Sequence, residues 1–231
     1  YDDALEYLGP GITLCNAHGV HDTSTAELAV GLAVSVRRGF PHFMTNQRRG
    51  VWDRRLFPSL ADSRVAIVGY GSIGRTVHRV LGGFQVDVTA FTRSGRDGAL
   101  RVAELPAVIH EFDVVILTLP LNADSAGMFD AGLLGRMRDG ATLINVARGP
   151  IVDTDALVAE LRAGRLSAGL DVTDPEPLPE GHPLWEAPNC VITPHVGGNS
   201  TAFEPRGRAL VEQQLQRLAA GAELLNVVHA G

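Results

Sequence analysis

Lysine is missing from this sequence: all 20 basic residues among its 231 are arginine. That excludes mechanisms built on a lysine Schiff base or a lysine general base, and it removes the lysine of a phosphate-binding P-loop. Cysteine is nearly missing too. Cys15 and Cys190 alone can build neither a disulfide framework nor a structural zinc site, and no metal site is read in the chain. Positive charge is in deficit: 20 basic against 26 acidic residues give a net charge of -6, so a polyanion gains no general attraction and no nucleic-acid partner is expected. No uninterrupted apolar stretch reaches the roughly 18 residues that cross a bilayer, so no membrane partner is expected either. The acidic start Tyr1-Asp2-Asp3 is unlike a secretory signal, which makes a reducing cytoplasm the expected location.

What is present reads as α/β. The 26 glycines exceed the usual ~7% and follow no collagen-like period, as many tight turns between short elements require. Short apolar runs predict strands at 12–15, 65–68, 86–91, 114–117, 142–146, 168–172 and 190–193, and helical spacing predicts helices near 102–110, 131–137, 154–163 and 200–220. A further helix is expected from Thr25, because Ser24 and Glu27 have capping-box spacing. Its apolar residues cover most of its circumference, so burial on several sides is expected, with Arg37 and Arg38 complementing its C-terminal dipole. The alternation predicts a doubly wound parallel sheet. Before residue 60 only one strand and one long helix are read, too little for a lobe of its own.

Three segments carry chemistry. Gly69-Tyr70-Gly71-Ser72-Ile73-Gly74 follows a buried strand and opens a helix, the context in which glycines serve a tight turn, close approach to a pyrophosphate and helix packing. A structural glycine turn is the plainer alternative. At the end of the next strand, where NAD enzymes usually present a carboxylate to the ribose, the chain reads Phe91-Thr92-Arg93-Ser94-Gly95-Arg96. Thr92, Arg93, Ser94 and Arg96 suit a 2′-phosphate, so NADP(H) is expected in preference to NAD(H); a solvated arginine loop is the alternative. The third set is Asn145 to Pro150, Asp171 to Pro177 and Thr193 to Gly198, three loops beyond predicted strand ends that can converge on one cleft. Arg148 can grip a carboxylate, His195 can move a proton at neutral pH, and Glu176 can hold that imidazole charged, which together is what reduction of a 2-keto acid needs. Each also has a plainer role, Arg148 as a loop tie, Glu176 as a solvated turn and His195 as a structural histidine.

Those segments, with Trp185 to Gly198, resemble in order the D-isomer-specific 2-hydroxyacid dehydrogenase family, and the resemblance runs from Tyr1 to the C-terminal helix. It implies a Rossmann domain over 23–199, with 1–22 as a remnant of a flavodoxin-like substrate lobe and 200–231 as a helix returning to that lobe. It implies Arg148, Glu176 and His195 as the catalytic set and Asp171 as the partner of the nicotinamide carboxamide. Leu119, Pro120, Val146, Ala147 and Gly197 would be further cofactor contacts. Glu176, where formate dehydrogenases of the family carry Gln, implies proton transfer with the hydride. The Thr92-Arg93-Ser94 end resembles the NADPH-using glyoxylate and hydroxypyruvate reductases, hence a small 2-keto or 2-hydroxy acid as substrate. The long helix from Thr25 resembles the one that family members use for dimerisation, so a homodimer is the expected state. Family members begin with some seventy further residues, so an N-terminally incomplete chain is expected. A dinucleotide-sensing interaction protein of the same fold and an inactive fragment are the rival readings.

Overall fold

A computed structural model describes residues 7–230. Strand β1 (Leu14–Cys15) precedes helices α1 (Asp22–Arg37) and α2 (Phe40–Arg48). Next come β2 (Arg64–Val68), α3 (Ser72–Leu81), β3 (Asp87–Thr92), β4 (Leu100–Arg101) and the short α4 (Leu105–Val108), which has a 3-10 turn on either side. The chain goes on through β5 (Val114–Leu117), α5 (Ala131–Arg136), β6 (Thr142–Asn145), α6 (Thr154–Arg162), β7 (Ser167–Leu170) and β8 (Cys190–Ile192), then α7 (Phe203–Ala219) and β9 (Val227–His229).

Seven of the strands form one parallel sheet in the order β4-β3-β2-β5-β6-β7-β8. Its central strands β2 and β5 are apolar on both faces because both faces are covered. Val65 and Ile67 join one core with Ala26, Ala29, Leu32, Val77 and Leu81, under α1 and α3. The residues between and beyond them, Ala66 and Val68, join the other core with Phe91, Phe112, Leu134 and Leu161, under α5 and α6. The chain reverses its direction of travel across the sheet between β2 and β5, and at such a switch point the connecting loops part and leave a crevice at the strand ends. β1 and β9 stand apart as an antiparallel pair, tied further by a hydrogen bond from the Asn226 amide to the His18 carbonyl, 3.0 Å.

Several expectations are corrected. Helix α1 begins three residues earlier than Thr25, and the capping box does not form: the Ser24 hydroxyl donates to the His21 carbonyl, 3.1 Å, and no side chain caps the helix. Arg37 does not serve the helix dipole from the surface. It is buried, donating from Nε to the Ser59 carbonyl at 2.8 Å, and its burial holds the guanidinium below its ordinary pKa. A second helix, α2, lies before residue 60; its apolar residues are only Phe40, Phe43 and Met44 within one turn, besides Pro41, and none of its residues is buried. The helix expected over 102–110 is broken into a 3-10 turn, α4 and a second 3-10 turn, with Pro106, which has no N–H to donate, in the first turn of α4.

Candidate active site

The crevice starts at the glycine loop. Gly69 has φ +99°, and a Cβ there would lie 2.5 Å from the Leu119 nitrogen, so only glycine lets the loop pass the Thr118-Leu119-Pro120 segment. A Cβ on Gly74 would overlap the Gly69 carbonyl oxygen, which also accepts from the Thr118 hydroxyl at 2.6 Å. Gly71 differs: it opens α3 without a side-chain cap, and a Cβ there would meet nothing. The free N–H groups of the first turn thus face open space at the positive end of a helix, which fits a pyrophosphate. Next to it the Ser72 hydroxyl donates to Asp22 of α1, 3.1 Å.

At the end of β3 the Thr92 hydroxyl accepts from the Gly95 N–H, 2.9 Å, and Arg96 Nε donates to the Ser94 hydroxyl, 3.0 Å. Arg93 extends into solvent, 88% exposed, with Asp124 Oδ2 at 3.5 Å. The segment 91–96 holds no carboxylate, yet the fold brings two from outside it, Asp124 and Asp97. Arg75 of α3 donates to Asp97 at 2.6 Å, and that hydrogen bond, reinforced by the Arg75 charge, holds the Asp97 carboxyl below its ordinary pKa.

The other end is held more tightly. Asn145, at the end of β6 and buried, accepts from the Ala147 N–H at 3.0 Å and donates to the Arg148 carbonyl at 2.9 Å, which clamps the turn that presents Arg148. The Arg148 side chain is exposed and donates to the Ala147 carbonyl, 2.6 Å. The next residue, Gly149, has no room for a Cβ, because the Thr173 carbonyl oxygen occupies that position; the loops after β6 and β7 therefore touch backbone to backbone. Asp171, at 2% exposure, accepts on Oδ1 from the Thr193 hydroxyl at 2.6 Å and the Val196 N–H at 2.8 Å, and on Oδ2 from the Gly197 N–H at 2.8 Å. One buried carboxylate thus organises the loop that carries His195, whose own φ is +53°. His195 Nδ1 lies 2.6 Å from Glu176 Oε1, with both side chains part-exposed. Because a carboxylate only accepts, Nδ1 donates, and Nε2 is the ring nitrogen left for a ligand.

Ile73, Val146, Arg148, Asp171, His195 and Gly197 share one cleft of about 460 Å³. Glu176 stands behind His195, Ala147 is buried behind Arg148, and Thr92 to Arg96 lie at the end of β3, outside that cleft. The cleft is completed by residues that no motif marks, His21 and Thr25 of the α1 start, Asn199, and Phe203 of α7.

This arrangement coincides with the likeness to known proteins. The family model "D-isomer specific 2-hydroxyacid dehydrogenase, NAD binding domain" matches residues 30–197, from α1 through Gly197. A glycerate dehydrogenase of Methylorubrum extorquens is 34% identical over 80% of this chain and 62% of its own length. The glyoxylate reductase/hydroxypyruvate reductase of Mus musculus is 33% identical over 81% of this chain and 61% of its own. Aligned stretches thus span somewhat under two thirds of either relative. The D-isomer specific 2-hydroxyacid dehydrogenase of Xanthobacter autotrophicus Py2, solved in complex with NADPH and MES, superposes with a TM-score of 0.82 at 30% identity, covering 98% of this chain and 97% of that one. With the family model spanning the sheet, the glycine loop and the Asp171–His195 loop, the chain belongs to the D-isomer specific 2-hydroxyacid dehydrogenase family.

Proposed function

We propose that the protein reduces a small 2-keto acid of the glyoxylate or hydroxypyruvate kind to the D-2-hydroxy acid, with NADPH used in preference to NADH. The observation that carries this reading is the 2.6 Å bond between His195 and Glu176 on a cleft that also holds Arg148 and Asp171. The names of the two relatives and the NADPH in the Xanthobacter structure agree with it.

When bound, the cofactor supplies the hydride. The first turn of α3 beyond Gly71 would hold its pyrophosphate and Leu119 and Pro120 would contact it; Ile73, Val146, Asp171 and Gly197, which line the cleft, would hold the nicotinamide end, with Ala147 packed behind them. Arg148 leaves the Ala147 carbonyl to pair with the substrate carboxylate and polarise the keto group. His195 would give a proton from Nε2 to the keto oxygen, so that no free alkoxide need form; Glu176 holds the ring by Nδ1 and balances its charge. Arg93, Ser94 and Arg96, steadied by Thr92, would hold the 2′-phosphate.

His195→Ala is expected to lower turnover of glyoxylate and hydroxypyruvate by about 10²- to 10⁴-fold while NADPH affinity, followed by nicotinamide fluorescence, stays near that of the unaltered protein. Retained turnover would overturn the assignment.

The same reading divides the chain into a dinucleotide-binding unit over 23–199 and two segments, 1–22 and 200–231, that belong to a substrate lobe. The separate pairing of β1 with β9 supports it, although residues 1–6 lie outside the described part. It also makes the protein a homodimer. Beyond α2 the chain runs without regular structure and presents Trp52 and Leu56, 92% and 94% exposed, a surface that a second copy would cover. Trp52→Asp should shift the protein toward monomer in sedimentation; an unchanged dimer, or a monomer from the outset, would count against that use of the segment after α2.

A further inference from the structure

We propose that His21 is the residue that reads the substrate beyond its keto carbon: its Nε2 accepts a hydrogen bond from a hydroxyl on C3, so the cleft favours 3-hydroxy-2-keto acids over those ending in a methyl. The inference rests on the function proposed above and assigns a specificity to the same site.

His21 precedes the first turn of α1, and three separate segments meet at its ring. The Nδ1 atom lies 3.2 Å from the Gly198 carbonyl oxygen, in the loop that also carries His195. One ring face stacks on Phe203 of α7, with centroids 5.0 Å apart and planes within 5°. A Cβ on Gly198 would come within 2.6 Å of Nδ1 and 3.1 Å of both Cε1 and Cγ, so this edge of the ring is pressed against Gly198 backbone. The ring is therefore gripped on one edge and one face.

The chemistry of the remaining edge follows. A carbonyl oxygen only accepts, so the bond to Gly198 places the hydrogen of the neutral imidazole on Nδ1 and leaves Nε2 an acceptor. Nε2 sits on the edge turned away from Gly198 and has no hydrogen-bond partner among the described residues. No buried side-chain nitrogen or oxygen among those residues lacks a partner, so Nε2 is not sealed in but is reached from outside. His21 lines the cleft together with Arg148 and His195. An unpartnered acceptor in that wall discriminates by what the substrate can donate: a C3 hydroxyl satisfies it, and a methyl displaces its water and returns nothing. A purely structural ring would be complete with the stack on Phe203 and the bond to Gly198, and would have no use for the free Nε2.

The test is a pair of ligands that differ only in that hydroxyl. D-glycerate and D-lactate are titrated calorimetrically into the chain saturated with NADPH, a dead-end complex in which no reaction occurs, and turnover of hydroxypyruvate and pyruvate is measured in parallel. The unaltered protein should bind D-glycerate about tenfold more tightly than D-lactate. His21→Phe should bring the two affinities together by weakening D-glycerate alone, and His21→Gln, which keeps an acceptor, should retain part of the preference. If His21→Phe fails to fold, His21→Leu reads the same ratio. An undiminished preference in either apolar variant, or equal binding of the two acids by an unaltered protein that turns over both keto acids, overturns the role of His21 and leaves the reductase reading standing. If NADPH binds but neither hydroxy acid does and no 2-keto acid is reduced, the reductase reading falls and this inference with it.

Discussion

The His195 loops and the Arg93 loop, both at the strand ends, are built by opposite means. At the His195 end a buried carboxylate takes three hydrogen bonds from one loop, a buried amide clamps the next, and two backbones meet where Gly149 leaves no room for a side chain. At the Arg93 end the cations lie at the surface, one of them 88% exposed and 3.5 Å from its nearest carboxylate. Groups that must meet a reacting atom are held to a fraction of an ångström by backbone capture, whereas a group that only recognises a charge can be left on a long side chain. Chemistry should therefore be hard to alter here without damage to the fold, and cofactor choice easy.

The largest effect is expected at Asp171. Asp171→Ala removes an acceptor from the Thr193 hydroxyl and from the Val196 and Gly197 N–H groups together. Hydrogen bonds to charged groups contribute roughly 1.5–3 kcal/mol each, so the loss of folding stability should reach about 3 kcal/mol or more, read from the midpoint of urea unfolding. Asp171→Asn should lose less, because one oxygen survives while the amide faces a donor. Were Asp171→Ala as stable as the unaltered protein, the loop would be held by something other than this carboxylate.

Gly149→Ala is the next step down. The added methyl would overlap the Thr173 carbonyl oxygen, and the Asp174 nitrogen would lie 2.8 Å from it, so the loops after β6 and β7 must separate. Overpacking of this kind costs about 1–3 kcal/mol, and a displacement of about 1 Å between Arg148 and the Glu176 loop should lower kcat about 10²-fold. NADPH affinity should hardly move, since the glycine loop is untouched. Equal losses in kcat and cofactor affinity would show that the two regions are not separable.

The same contrast explains how much of this could be read in the sequence. Gly69 to Gly74, Asn145 to Gly149 and Asp171 to Gly197 were legible because each lies at a strand end, where local constraints alone select glycine, asparagine or aspartate, and the sheet then brings the loops together. His21 and Phe203 were not legible: one precedes α1 and the other opens α7, far apart in the chain, and neither carries a local signal. The missed α2 has only one turn of helical spacing, Phe40, Phe43 and Met44, before polar residues take over, although Gly39 in the left-handed region and Pro41 in its first turn are a start signal. The absence of a capping box at Ser24 has a tertiary cause as well. α1 begins early enough for Asp22 to accept from Ser72 of α3, a contact that sequence spacing cannot anticipate. At the Arg93 end the local reading found the cations and missed their partners, since Asp124 arrives from the loop after β5.

The smallest effects are expected at that end. Arg93→Ala should weaken NADPH binding by about 1–3 kcal/mol, the range for one charge-assisted hydrogen bond, and leave NADH affinity nearly unchanged, as measured by nicotinamide fluorescence with each cofactor. Folding stability should shift by no more than about 0.5 kcal/mol, because an exposed pair at this separation contributes little. Asp124→Asn separates the two uses of Arg93. It removes the competing carboxylate but leaves the guanidinium, so NADPH should bind as well as before or slightly better, and more visibly at low salt, where surface charges are least screened. Equal loss of NADPH and NADH affinity in Arg93→Ala would mean that this arginine supports the adenosine as a whole and does not read the phosphate. In that case the Arg93 end would resemble the His195 end after all, a built surface on which no single side chain sets the cofactor.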